Sequence, residues 1–194
     1  HPEALEKEFE TQLISREEFE RLKAEKNTSL TDVQRAARFY YLLRTCFGAK
    51  VAEPNFFSHV ERQPHLKLGD DLKTVLSAIH QRLQKVNIEN RNYDVLIQKM
   101  DREDTLFYLD PPYYNCEKYY GKDIFSRDDF IKLRELLKNI KGKFILSLND
   151  IPEVRELFDG FYFHTKQIRW SLNSKAHDEN NGKELIITNF KIPD

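Results

Sequence analysis

This 194-residue chain predicts an α/β fold, a sheet covered by helices on both faces with an antiparallel edge, preceded by a small helical subdomain. Three observations carry the prediction. From residue 87 onward, short apolar runs of strand length alternate with amphipathic stretches of helical period. Two strand-like segments, 161–170 and 184–190, then follow without a helix between them, which closes an alternating sheet with an antiparallel pair. The first 86 residues read mainly as helix. The division is therefore placed at 1–86, mainly helical, and 87–194, the α/β core.

Taken in order, residues 2–12 and 15–26 carry apolar side chains at helical spacing, and Ser15-Arg16-Glu17-Glu18 matches a capping box. Thr31-Asp32 starts a third helix whose apolar positions Val33, Ala36, Ala37, Tyr40, Tyr41 and Leu43 share one side, with Gly48 as its expected stop. Residues 48–69 read as an irregular loop, longer than most, a length that often accompanies function. Asp70-Asp71 are expected to cap a helix reaching about Val86. A short strand is expected at 87–90, a helix at 93–100, and a strand through Thr105-Leu106-Phe107-Tyr108-Leu109. Phe125-Ser126-Arg127-Asp128-Asp129 opens a capped amphipathic helix ending near Lys141-Gly142. A strand at 143–149, a short helix at 152–158 and the terminal strand pair complete the chain.

Composition sets wide bounds. Apolar residues make up 40% and aromatics 12%, enough for a packed core and against a disordered chain. No apolar run approaches the roughly 18 residues of a membrane span, and no secretory signal is recognisable. Cys46 and Cys116 lack metal or redox spacing, so a reduced, cytoplasmic compartment is the expectation. The six histidines show no ligand spacing, and no metal site is expected. Net charge is −1, but unevenly spread. Residues 1–34 hold nine acids against five bases, whereas 35–67 hold six bases against two acids. Such a basic stretch in a neutral chain suits a phosphate-contacting surface. Arg35 and Arg38 suit a salt-bridged helix face equally well. Lys50, Arg62 and Lys67, in a segment rich in Pro, Asn and His, favour contact.

The most informative tetrapeptide is Asp110-Pro111-Pro112-Tyr113. The apolar run before it delivers Asp110 to the carboxyl end of a strand, where open α/β sheets bind ligands. Two prolines stop the ladder because neither donates an N–H, while their carbonyls remain acceptors. A rigid turn results, presenting a carboxylate, a carbonyl and an aromatic face. A planar amine such as the exocyclic nitrogen of adenine fits that set. A proline turn with a solvated aspartate is the plainer alternative.

This stretch resembles the catalytic motif of amino-directed DNA methyltransferases, and the wider pattern resembles the Dam-type (DPPY-motif) adenine methylases. Supporting segments are Leu42-Leu43-Arg44-Thr45-Cys46-Phe47-Gly48, the Asp110 turn with Tyr119-Tyr120 after it, Lys143 to Asp150, and Lys183-Glu184-Leu185-Ile186-Ile187-Thr188-Asn189-Phe190, in the order that family uses. The resemblance implies a Rossmann-like S-adenosylmethionine-dependent methyltransferase sheet, with a target-recognition region at about 30–70. It implies methyl transfer to an adenine flipped out of double-stranded DNA. Asp110 and the Pro111 carbonyl would hold the amine and Tyr113 would stack on the base, with Pro112 completing the motif. Tyr114, Tyr119 and Tyr120 wall the same pocket or serve as packing residues. Asn92, Tyr93 and Asp94, with Asp110, would contact the cofactor, although Asn92 or Asp94 suits a helix cap equally. DNA contacts are expected from Arg44, Lys50, Arg62 and Lys67, and from Asn173 and Lys175 in the polar connection 171–183. A restriction endonuclease would be the natural companion.

One part of that family's pattern is missing. The six glycines stand at 48, 69, 121, 142, 160 and 182, so no Gly-x-Gly turn exists to approach a nucleoside cofactor. The first strands of the family's sheet are expected to be absent, and with them half of the cofactor site. A fragment of a longer enzyme, a shortened inactive relative and a chain completed by a partner are the three explanations, and the first is favoured. Two other functions stay open: a non-catalytic module that binds nucleic acid or a partner chain, and an amino-methyltransferase acting on RNA, protein or cytosine.

Overall fold

The computed structural model describes residues 1–47, 54–58, 64–117, 124–167 and 183–192. These form two compact units, His1–Glu89 and Asn90–Asp194.

The first unit is helical. Helices α1 (Pro2–Lys7), α2 (Arg16–Ala24), α3 (Asp32–Thr45) and α4 (Asp70–Leu83) enclose a core of Phe9, Phe19, Leu22, Tyr41, Leu42, Leu66, Leu72 and Leu76. Their caps follow from the sequence. Ser15 accepts the Glu18 amide at 3.1 Å, and Thr31 with Gln34 closes a complete capping box at α3. The Tyr41 hydroxyl, buried at the centre, donates to the Leu13 carbonyl at 2.9 Å and accepts from the Ser15 amide at 3.1 Å, so it fixes the α1–α2 connection.

Several boundaries differ from expectation. The helix expected at 2–12 ends at Lys7, and that at 15–26 ends at Ala24. Helix α3 stops at Thr45, before Gly48, because Cys46 turns extended and forms an antiparallel bridge with Phe56. The flanking bonds, Phe47 N–H to Asn55 O at 2.8 Å and Phe57 N–H to Thr45 O at 2.7 Å, reward the extended backbone over another helical turn. Asp70 and Asp71 do not cap α4; Gly69 does, at φ 59°, and the two carboxylates lie in the first turn, where they face the positive end of the helix dipole.

The second unit holds α5 (Tyr93–Met100), β1 (Leu106–Leu109), α6 (Arg127–Lys138), β2 (Lys143–Asn149), α7 (Pro152–Leu157), β3 (Tyr162–Gln167) and β4 (Lys183–Thr188). The sheet order is β1-β2-β4-β3, with β1 parallel to β2 and the β4 pairings antiparallel. An open α/β sheet with an antiparallel edge is thus what forms. No strand forms at 87–90, contrary to expectation. That segment has one apolar side chain, Ile88, which is 78% exposed, so there is no burial to offset ordering an isolated strand.

By register, Phe107, Leu109, Phe144, Leu146, Leu148, Leu185, Ile187 and Phe163 share one face. Ile97 of α5, Phe130, Leu133 and Leu137 of α6, and Val154 of α7 with Phe158 behind it fill that face's core. Each such fully buried side chain contributes roughly 1.5–3 kcal/mol. Among the described residues, the β1 and β3 edges of the opposite face are not covered as expected. Leu106 and Tyr108 of β1 are 57% and 67% exposed there and Tyr162 of β3 is also exposed, because α5, α6 and α7 pack on the first face, whereas Ser147 of β2 and Thr188 of β4 are buried between those edges.

The start of β2 is tied down by side chains. The Asp101 carboxylate accepts the Lys141 and Gly142 amides, both at 2.9 Å. Asn189 accepts the Phe144 amide at 3.1 Å and donates to the Gly142 carbonyl at 2.9 Å. Gly142 is required here: a Cβ would lie 2.8 Å from the Thr105 carbonyl oxygen and 2.9 Å from that of Arg102. Among the described residues, no helix is long and apolar enough to cross a membrane.

Candidate active site

Strand β1 ends at Leu109 and hands the chain to Asp110 at the carboxyl end of the parallel pair. Asp110 is exposed, and among the described residues its carboxylate accepts no hydrogen bond. Pro111 and Pro112 are half-buried in trans peptides, and neither can continue the ladder. The turn is then fixed at two points.

The first point is Asn149, the last residue of β2. Its Oδ1 accepts the Tyr114 amide at 2.9 Å and its Nδ2 donates to the Tyr114 carbonyl at 3.1 Å. This side-chain amide replaces the ladder bonds that the prolines cannot make. The second point is Glu184 of β4, directly across from Asn149 in the antiparallel register. Glu184 Oε1 accepts the Tyr113 hydroxyl at 3.1 Å and the hydroxyl of buried Ser147. Ser147 and Asn149 are two residues apart on β2, so they share a face, and Glu184 stands on the same face. Burial pushes the Tyr113 hydroxyl up to about 12, and the negative charges of Glu184 and Asp110 add to the effect. It therefore remains a donor through the neutral range.

Tyr114 turns the other way. Its ring packs on Phe130 at 5.2 Å between centroids, and the Arg127 guanidinium lies 3.5 Å above it. Arg127 also donates to Asn115 at 2.6 Å, and Asn115 holds the left-handed backbone of the turn at φ 72°. Tyr114 thus packs against α6. The nearby Cys116 thiol is pushed up by burial, which disfavours a thiolate.

The other expected positions are placed as follows. Tyr93 packs against Phe125, and its hydroxyl donates to the Asp129 carbonyl at 3.3 Å; burial raises it to about 12. Asn92 sits at the N-cap of α5 without capping it, and Asp94 accepts the Val95 amide at 2.7 Å. Both are exposed. Arg44, exposed on α3, lies over the Tyr40 ring at 5.6 Å, and Lys67 pairs with Asp71 at 3.4 Å. Arg35 pairs with Asp32, and Arg38 donates to the Leu22 and Lys23 carbonyls. Lys50, Arg62, Tyr119, Tyr120, Asn173 and Lys175 lie outside the described residues.

Asn149, Glu184 and Ser147 were not among the expected site residues. A signal for them existed: polar residues at period two near the end of an otherwise apolar strand, where burial would leave them unsatisfied without partners.

A family model described as D12 class N6 adenine-specific DNA methyltransferase matches residues 2–172. The chain is 28% identical over 162 residues to the type II methyltransferase M.CviBI of Paramecium bursaria Chlorella virus NC1A, a match covering 80% of this chain and 61% of that protein. It is also 28% identical over 173 residues to the type II methyltransferase M1.LlaDCHI of Lactococcus lactis subsp. cremoris, covering 83% of this chain and 60% of that protein. The chain thus spans about three fifths of the length of these curated relatives.

Proposed function

The chain belongs to the D12 class N6 adenine-specific DNA methyltransferase family, and from that membership we propose that the protein transfers a methyl group from S-adenosylmethionine to the exocyclic amine of adenine in double-stranded DNA. The observation that supports this most is the Asp110 turn itself. An exposed carboxylate stands at the end of a parallel strand, on a turn clamped by Asn149, with an aromatic ring tethered beside it.

The adenine amine is a weak nucleophile because its lone pair is delocalised into the ring. Asp110 accepts one N–H of that amine and the Pro111 carbonyl accepts the other. Both acceptors act on the positive charge that develops at nitrogen, an electrostatic preorganisation that needs no covalent step on Asp110. Tyr113 stacks on the extruded base. Such stacking contributes about 1–3 kcal/mol and offsets an unstacking cost of a few kcal/mol. The methyl donor supplies an electrophilic carbon on a sulfonium. The residues present fit that donor in part: Asp110 offers an acceptor, whereas the sequence contains no Gly-x-Gly turn. In this reading the second wall of the cofactor site comes from protein outside residues 1–194, in the same or a complementing chain. Exposed Asn92 and Asp94 are candidates for the cofactor's adenine; Tyr93, whose hydroxyl is already engaged, would serve by packing.

Residues 30–70 would contact DNA, with Arg44 and Lys67 on phosphates, joined by Lys50, Arg62, Asn173 and Lys175. A restriction endonuclease would be the companion activity. The lack of a glycine turn favours one rival, a non-catalytic nucleic-acid-binding module. Tritium transfer from labelled S-adenosylmethionine to DNA by the full-length protein separates the two. We expect incorporation at adenine, and a loss of at least about 100-fold in Asp110→Ala with folding preserved, since an exposed carboxylate contributes little to packing. No incorporation by the parent protein would leave the binding module, and incorporation in the variant within threefold of the parent would remove Asp110 from the mechanism.

A further inference from the structure

Tyr113 differs from an ordinary turn tyrosine in being held at its tip. A tyrosine beside a turn has two side-chain torsions to settle before its ring can meet a planar base face to face. Here the hydroxyl is fixed by Glu184 Oε1 at 3.1 Å, across a sequence separation that no local turn geometry could bridge. Glu184 is itself fixed. It belongs to the β4 ladder opposite Asn149, and the same carboxylate oxygen accepts the buried Ser147 hydroxyl. Two donors on one oxygen leave the carboxylate little freedom to follow the ring if it swings. The backbone of the next residue, Tyr114, is held by Asn149 from the neighbouring position of the same sheet face.

We propose that Glu184, backed by Ser147, is a positioning residue that orients the Tyr113 ring for the flipped base, so that the stacking surface is set before the nucleotide arrives. This rests on the base-pocket reading of the Asp110 turn. The chemistry suits the task. A carboxylate acceptor makes a charge-assisted bond, stronger than one to a neutral oxygen. A hydroxyl is bonded at the ring's edge and not on its face, so the tether itself does not compete with stacking. Ordering the ring in the free protein also removes that entropic cost from the binding step.

The test uses the full-length protein and DNA in which the target adenine, located by mapping methylated positions, is replaced by 2-aminopurine, whose fluorescence rises on extrusion. Glu184→Ala should lower the extrusion signal and raise KM for DNA by about tenfold, the scale of one lost charge-assisted bond, while cofactor affinity stays within twofold. Glu184→Gln retains an acceptor and should recover most of the loss, which a structural role for the charge would not allow. Tyr113→Phe removes the same bond from the other end and leaves Ser147 its acceptor, so it carries the test if Glu184→Ala does not fold. It should reproduce the loss, and adding Glu184→Ala to it should change nothing further, since the bond is already gone. Unchanged extrusion in Tyr113→Phe, or additive effects in the double variant, overturns the proposal while normal methylation by the parent leaves the pocket reading standing. A parent protein with neither methyl transfer nor extrusion overturns both.

Discussion

Replacing Asn149 by alanine removes the clamp on the Asp110 turn and leaves every residue proposed to contact substrate unchanged. Two bonds disappear, at 2.9 and 3.1 Å, both to the Tyr114 backbone. Each neutral bond contributes about 0.5–1.5 kcal/mol net. The half-buried Tyr114 backbone groups can recover some hydration, so a stability loss of roughly 1–2 kcal/mol is expected, with a melting point lower by about 2–8 °C for a protein of this size. The effect on rate should be disproportionate. Asp110 and the Pro111 carbonyl lie only four and three residues before Tyr114, and a misplacement of about 1 Å at the reacting groups costs on the order of 100-fold. We therefore expect kcat in the tritium-transfer assay to fall about 100-fold, together with faster hydrogen exchange at the Tyr114 amide. Asn149→Asp keeps an acceptor for that amide but sets a carboxylate oxygen against the Tyr114 carbonyl, and should be no better than alanine. Activity within threefold of the parent, with the Tyr114 amide equally protected, would show that the turn holds its shape unaided and the argument from the clamp would fail.

Two further outcomes follow from the same unit. Gly142→Ala should destabilise by about 1–3 kcal/mol, as overpacking does, because its Cβ meets two backbone oxygens that cannot swing aside; an unchanged denaturation midpoint would show that the 101–105 loop yields. Hydrogen bonds from Arg155 hold the Asp150 carboxyl below its ordinary value, helped by Thr165 and by the charge of Lys183. Because the folded pKa is the lower one, this stabilisation is complete above the unfolded value near 3.9 and is lost as pH falls through the folded value. Asp150→Asn should therefore lose stability at neutral pH and show a shallower decline below about pH 4. Parallel melting curves against pH for the two proteins would exclude the linkage.

How much of this was legible in the sequence depends on the range of the interaction. Helix α5 and strand β2 were placed at their observed bounds, since period and capping are local signals. The Asp110 turn was legible for the same reason, as two consecutive prolines after an apolar run allow few conformations. The strand expected at 87–90 failed because a lone apolar residue has no period, and the alternation around it invited a strand that nothing pays to bury. The cover expected over the β1 and β3 edges of the second sheet face failed because periodicity says which residues share a face but not on which side successive helices pack. What holds the turn was legible only in part: polar side chains at period two on β2 mark residues that need partners but do not name the partners. Asn149 reaches back 35 residues and Glu184 reaches back 71, and no local pattern encodes a contact at such separations.

The position of β1 at the edge of its sheet has a thermodynamic consequence. Among the described residues it is paired on one side only, with Leu106 and Tyr108 exposed, yet it is the strand that ends at Asp110. An edge strand is a template for another strand. Any segment that came to lie along β1 would restrict the same backbone whose placement the substrate amine requires. The two events would then draw on one conformational equilibrium, and linkage makes their effects mutual. A strand that tightened capture of the amine by some factor would find its own hold on the edge strengthened by that same factor when the amine was bound.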